Sequence, residues 1–292
     1  MDLSYFDCKL CPRECNADRT SGRLGFCRAS DRVFVAKTML HKFEEPPICG
    51  KGGAGAVFFS GCSLRCIYCQ NHVISRCEYG KEYTAAELCD AYLRLRDEGA
   101  STLDLVTPTH YAPTVIKSLE LAKPRLGIPV VYNCGGYESV DTLKALDGLI
   151  DVYLPDVKYH SDALAMRFSS CGDYFARAIE ALSEMVCQTG PYEEENGIAQ
   201  KGVIVRHLVL PGHRDDSVAV LEGISRVINV KDIRLSLMSQ YTPFYTGDAF
   251  PELRRRTTTY EYRAVLDRAV ELGFTGFCQD RRSAEKEYTP DF

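Results

Sequence analysis

Three cysteines fall on one short stretch, Cys62-x3-Cys66-x2-Cys69, directly after the apolar run Val57-Phe58-Phe59 and the turn Ser60-Gly61. Three thiolates presented by one tight loop suit a soft metal or an iron–sulfur cluster. A structural zinc site is a closed tetrahedron and wants a fourth ligand. The near candidate, Cys77, follows Cys69 at a Cys-x7-Cys spacing that is unusual for a zinc knuckle. Three sulfurs on a four-iron cluster would instead leave one iron free to bind something else.

The chain carries fourteen cysteines in 292 residues, and its first thirty residues are charged and cysteine-rich rather than signal-like. In a reducing compartment these are a poor disulfide framework, and metal ligation is the better account of the clustered ones. A second set, Cys8-x2-Cys11-x3-Cys15-x11-Cys27, lies in sequence with little apolar content, where Pro12, Gly22 and Gly25 favour turns. It reads as a small metal-stapled segment whose occupant, a second cluster or a zinc ion, the spacing leaves open. The scattered cysteines read as small buried apolar side chains.

We assign residues 1–50 to this cysteine-rich segment and 51–292 to a core. The boundary falls at Glu44-Glu45-Pro46-Pro47, where two prolines enforce an extended connection. From Ala56 onward apolar runs alternate with helical patterns, the signature of βα units around a parallel sheet. Strands are expected at 57–59, 102–106, 128–132, 150–154, 203–210 and 233–238, and helices at 84–98, 113–123, 139–146, 174–186 and 259–272. Thr84 and Glu87 form a capping-box pattern ahead of the stripe Leu88, Tyr92 and Leu95, and Glu193-Glu194-Glu195 reads as an acidic loop. Six such units are too few for a closed eight-stranded barrel. With 45% apolar residues the chain can bury a large core, and its net charge of -5 argues against a dedicated nucleic-acid binder. No apolar run approaches a membrane span, so a cytoplasmic protein is expected.

The cluster loop, with Tyr68 beside the last thiol and Gln70-Asn71 after it, resembles the radical S-adenosylmethionine enzymes. The likeness is greatest to the branch related to pyruvate formate-lyase activating enzyme. Matching stretches run along nearly the whole chain, among them Cys8-x2-Cys11-Pro12, His41, Glu44-Glu45-Pro46-Pro47, Val106 to His110, Tyr132 to Tyr137, Tyr153 to Tyr159, Arg206 to Gly212 and Ser236 to Tyr241. The resemblance implies a three-quarter α/β barrel, open on one side. It implies a [4Fe-4S] cluster on Cys62, Cys66 and Cys69, whose fourth iron is chelated by S-adenosylmethionine. It also implies reductive cleavage of that cofactor to a 5′-deoxyadenosyl radical that abstracts hydrogen from a substrate.

In parallel α/β architectures ligands collect at the carboxyl ends of the strands. The resemblance places cofactor contacts there at Thr107, Thr109, Asn133, Asp156, Lys158, Arg206 and Gln240. Thr107-Pro108-Thr109-His110 stands where many such enzymes carry Gly-Gly-Glu, so backbone carbonyls take that role. His110 is either a donor facing the ligand or a hydrogen-bonded residue at the rim. Asp156 and Lys158, two apart on extended chain, share a face, and would serve the pocket or pair with each other. One of Arg206 and His207 points inward by alternation, toward a cofactor carboxylate or an internal salt bridge. The resemblance further implies a protein substrate, such as a glycyl-radical enzyme, and a flavodoxin- or ferredoxin-type electron donor. Two alternatives stand beside this: radical modification of another protein or a small molecule, and a non-catalytic iron–sulfur or zinc protein for electron transfer or assembly.

Overall fold

The structure, a computed structural model, describes residues 3–243 and 249–278; the end of the assigned core, 279–292, lies outside the described residues. Strand β1 (Val33–His41) pairs antiparallel with β2 (Ala54–Phe59) on one side and with β3 (Lys81–Tyr83) on the other. From β2 the sheet continues in parallel through β4 (Thr102–Val106), β5 (Val130–Cys134) and β6 (Val152–Pro155). A hairpin of β7 (Glu193–Glu195) and β8 (Ile198–Leu208) follows, β8 lying parallel to β6, then β9 (Ile233–Met238) and β10 (Gly276–Cys278). Among the described residues, strands β3 and β10 are its two free ends, and the sheet does not close. Strands β2, β4, β5 and β6 are buried along their whole length, which is why they read as continuous apolar runs rather than alternating ones.

The helices α1 (Pro46–Cys49), α2 (His72–Ser75), α3 (Ala85–Asp97), α4 (Ala112–Leu126), α5 (Val140–Ala145), α6 (Asp162–Ser169), α7 (Tyr174–Thr189), α8 (Arg214–Val227) and α9 (Thr259–Glu271) link the strands. Among the described residues, no helix is long and apolar enough to cross a membrane. Helix α3 starts as its sequence predicts: Thr84 accepts from the Glu87 amide while the Glu87 side chain accepts from the Thr84 amide, and Leu88, Tyr92 and Leu95 are buried.

Four expectations need correction. The acidic triplet Glu193–Glu195 is strand β7, turned into β8 by Asn196 (φ 53°) and Gly197 (φ 79°). Asn-Gly is the favoured two-residue hairpin turn, a signal overridden by the charge of the triplet. The third expected strand begins at Val130 rather than Ile128, because Pro129 offers no amide to a ladder. Helices α6 and α8 fill connections for which no helix was expected; α6 is capped by Ser161, which accepts from the Leu164 amide. Of the scattered cysteines, Cys77, Cys187 and Cys278 are exposed rather than buried. The prolines of the assigned boundary occupy the first positions of α1, where a missing amide costs nothing, and Glu45 before them is extended. Beyond that boundary's N-terminal side, β1 is hydrogen-bonded into the same sheet as the core.

Replacing Thr84 by alanine removes the α3 cap, and a loss of about 1 kcal/mol is expected in urea denaturation. An unchanged midpoint and slope would mean that the cap contributes nothing.

Candidate metal and cofactor site

Strand β2 ends at Phe59, and the chain turns through Gly61 (φ 88°) into the cysteine loop. A second left-handed residue, Arg65 (φ 52°), and a Cys69 amide that donates to the Cys66 carbonyl at 3.2 Å wrap the loop tightly. The sulfurs already receive donors: the Leu64 amide lies 3.4 Å from Cys62 Sγ, and Ser169 Oγ lies 2.9 Å from Cys66 Sγ. Burial, followed by the neighbouring sulfurs Cys66 and Cys69, pushes the Cys62 thiol up to about 12. Burial and Cys66 push Cys69 up to about 11. Mutual repulsion of this kind is relieved by a shared cation, which deprotonates the thiols it binds. The donor set therefore fits a thiophilic cluster.

Cys66 and Cys69 face a cleft with about 1040 Å³ of atom-free space, its open mouth included, at the carboxyl ends of the parallel strands. Asn133, Asp156, Lys158, Arg206 and Gln240, from five positions along the chain, line the same cleft. Arg206 is the hub. Its Nε donates to Asp156 Oδ1 at 2.9 Å, Nη1 to Glu44 Oε2 at 3.2 Å, and Nη2 to Asn133 Oδ1. Lys158 Nζ reaches the other Asp156 oxygen at 2.5 Å. Asp156 and Lys158 thus both pair with each other and face the cleft. Burial works against ionisation of Asp156, but Arg206 and Lys158 overcome it and hold the carboxyl below its usual range.

The remaining expected contacts lie elsewhere. Thr107 sits in the turn after β4 with φ 59°, its amide donating to the Asn133 carbonyl at 2.7 Å, and is not part of the cleft wall. Thr109 turns inward, its hydroxyl donating to Glu138 Oε1 at 3.0 Å. His110 is buried against the Ser60 carbonyl, 2.6 Å from Nε2. His207 points to the opposite face from Arg206, with Nδ1 at 2.6 Å from the Val157 carbonyl.

Three acids were given no role by the sequence reading. Glu44 and Glu45 line the cleft from the segment between β1 and α1. Asp104 lies behind the lining residue Asn133, fully buried in the middle of β4; it accepts from Asn133 Nδ2 at 3.3 Å on one oxygen and has no partner among the described residues on the other. Glu45 Oε2 is likewise buried without a partner. Burial raises the Asp104 carboxyl to about 7 against the pull of Arg206, and burial with Asp104 nearby raises Glu44 well above its usual value. Asp104 had a visible signal, a lone acid inside Thr-Leu-Asp-Leu-Val; no local pattern links Glu44 to a strand end some 160 residues away.

Residues 48–170 match the family model of a 4Fe-4S single cluster domain. Among curated proteins, the chain is 29% identical over 278 residues to the uncharacterized protein MJ0674 of Methanocaldococcus jannaschii, covering 92% of this chain and 74% of that one. It is 28% identical over 207 residues to the pyruvate formate-lyase-activating enzyme of Clostridium pasteurianum, covering 68% and 77% respectively. Among solved structures, a radical SAM methyltransferase from Sphaerobacter thermophilus superposes with a TM-score of 0.53 at 15% identity, over 77% of this chain and 65% of that one. The chain thus spans just under two thirds of the methyltransferase's length, and the likeness to it is one of fold. The open parallel sheet is thus the fold shared with that methyltransferase, and the three-cysteine loop lies inside the residues that match the 4Fe-4S single cluster domain.

Removing the hub strands buried carboxylates: Arg206→Gln is expected to cost about 3–5 kcal/mol in chemical denaturation, and adding Glu44→Gln should recover part of it. Simple additivity of the two would show that no such pairing operates. Beneath the cleft, burial raises Glu138 to about 7 against hydroxyl bonds from Thr109 and Tyr132. Its contribution to stability is full below the ordinary carboxyl range and is lost as pH rises to about 7. Glu138→Gln should therefore gain on the wild type between pH 5 and pH 8, by on the order of 3 kcal/mol; a constant difference across that range would refute the raised value.

Proposed function

We propose that the chain is a radical S-adenosylmethionine enzyme that acts as an activase, installing a glycyl radical on a protein partner. The observation that carries the reading is the meeting, at one cleft, of a three-cysteine loop and a carboxylate-rich wall. Cys62, Cys66 and Cys69 would hold three irons of a [4Fe-4S] cluster, and Asn133, Asp156, Lys158, Arg206 and Gln240 would surround S-adenosylmethionine. When bound, cluster and cofactor supply one-electron cleavage of a carbon–sulfur bond and, through it, hydrogen abstraction.

The chain's own contribution is charge and shape. Glu44, Glu45, Asp104 and Asp156 face two cations, Lys158 and Arg206. That set of carboxyls suits a guest of net positive charge, whose arrival would favour the ionised forms of Glu44 and Asp104 that burial disfavours, and S-adenosylmethionine, with a sulfonium, an ammonium and a carboxylate, is such a guest. Phe58, Tyr68, Leu208 and Met238 form the apolar part of the wall and exclude water. Tyr68 is fixed by its hydroxyl, 2.6 Å from that of Tyr159, so it cannot swing into the cleft without breaking that bond.

The activase reading is supported by the similarity to pyruvate formate-lyase-activating enzyme over 68% of the chain and by the open sheet, which leaves room for a protein segment at the mouth. A flavodoxin- or ferredoxin-type protein would supply the electron. The test is anaerobic reconstitution with iron and sulfide, reduction with dithionite, addition of S-adenosylmethionine and quantification of 5′-deoxyadenosine. Product is expected from the wild type and none from Cys66→Ala; a loaded wild type that forms none would sink the reading. Electron paramagnetic resonance of a partner captured during turnover should show a glycyl radical. A radical placed elsewhere on the partner, or product formed only with a small molecule, would replace the activase by another modifying enzyme.

A further inference from the structure

The N-terminal cysteines enclose a site of their own. Two sulfurs of the set are met by an N–H donor. Arg19 Nη1 lies 3.6 Å from Cys8 Sγ, and the Phe26 amide lies 3.4 Å from Cys15 Sγ. Burial pushes the Cys11 and Cys27 thiols up, and the neighbouring amides of Arg13 and Ala29 pull against it. The backbone is bent to achieve this: Asn16 and Arg28, each directly after a cysteine, take left-handed angles of 49° and 62° that side chains rarely adopt. Amide donors converging on sulfur are what a thiolate ligated to a metal attracts, since neutral thiols are weak acceptors.

A second observation is independent of the sulfur geometry. Arg19 is fully buried, at 0% exposure. Its guanidinium donates to the carbonyls of His110 and Ser30 and stacks on Tyr5, with Nε left without a partner, and among the described residues no carboxylate pairs with it. Arginine does not give up its proton in a protein, so a buried one requires an anion. The sulfurs of Cys8 and Cys27 lie beside it, and a bound metal would hold them as thiolates.

We propose that Cys8, Cys11, Cys15 and Cys27 hold a second iron–sulfur cluster, closed by four protein thiolates and balanced by Arg19. Among the described residues, no three His, Cys, Asp or Glu side chains stand at the spacing of a single ion, at either cysteine set. A lone zinc ion, with its short bonds to sulfur, would have to draw the thiols inward, whereas a cluster gives each thiolate its own iron and spans them more widely. The second site is bolted to the back of the first loop. Arg13 donates to the Ser63 carbonyl at 2.9 Å and to that of Ser169 at 2.8 Å, and Ser169 donates to Cys66. A side chain on Gly61 would meet the Cys27 carbonyl at 2.9 Å.

The test separates this site from the radical one. The Cys62→Ala/Cys66→Ala/Cys69→Ala triple variant, reconstituted anaerobically, is expected to keep about four irons with matching sulfide and a reduced-cluster resonance that S-adenosylmethionine does not perturb. The full wild-type chain should hold about eight irons, and Cys15→Ser, which alters an exposed thiol, about four, with its circular dichroism unchanged. Zinc in place of iron in the triple variant, or a wild type that saturates at about four irons, overturns the proposal whatever the outcome of the 5′-deoxyadenosine assay.

Discussion

A guanidinium that cannot lose its proton, set near the end of β8, dictates the arrangement around it. Arg206 must be met by oxygen from every side on which water is absent, and the chain supplies it from three directions: Asp156 after β6, Asn133 from β5, and Glu44 from the segment before α1. These bonds tie the N-terminal strand region to the middle of the parallel sheet and fix the wall opposite the cysteine loop. The wall exists because no cheaper way to bury that charge is available.

The same constraint explains why the cleft is over-supplied with acids. Asp104 and Glu45 each keep one buried oxygen unpaired, which a site built for stability alone would avoid. Under the proposed function that cost would be offset by what binds in the cleft. On the proposed function, a positively charged guest beside a set of thiolates would satisfy both halves of the site, its polar end on the cluster and its charge against the carboxyls.

Around this, the N-terminal segment acts as a buttress. It reaches the cysteine loop through Arg13, through Gly61 against Cys27, and through Arg65, whose side chain donates to the Phe26 carbonyl at 3.4 Å. Loop conformation and the fold of the first thirty residues are therefore coupled, and the strained angles at Arg65, Asn16 and Arg28 are held by these contacts.

How much of this was legible follows from the range of the interactions involved. Signals carried within a few residues survived: the cysteine spacing, the Thr84–Glu87 cap, the alternation of apolar runs with helices, and the placing of Asp156 and Lys158 just after a strand and of Arg206 within one. The Asn196-Gly197 turn was just as local and was masked by three acids that edge-strand solvation tolerates. Thr109 resisted prediction because a strand-end position does not say which way a side chain turns, and it found Glu138 beneath the cleft instead. Sequence by itself determined an open βα sheet and a loop of three sulfurs, since both rest on periodicity and spacing. Only the tertiary structure decided that Glu44, Asp104, Asn133, Asp156 and Arg206 form one buried charge network, because that pairing is set by how distant strands stack in the sheet and not by any neighbour along the chain.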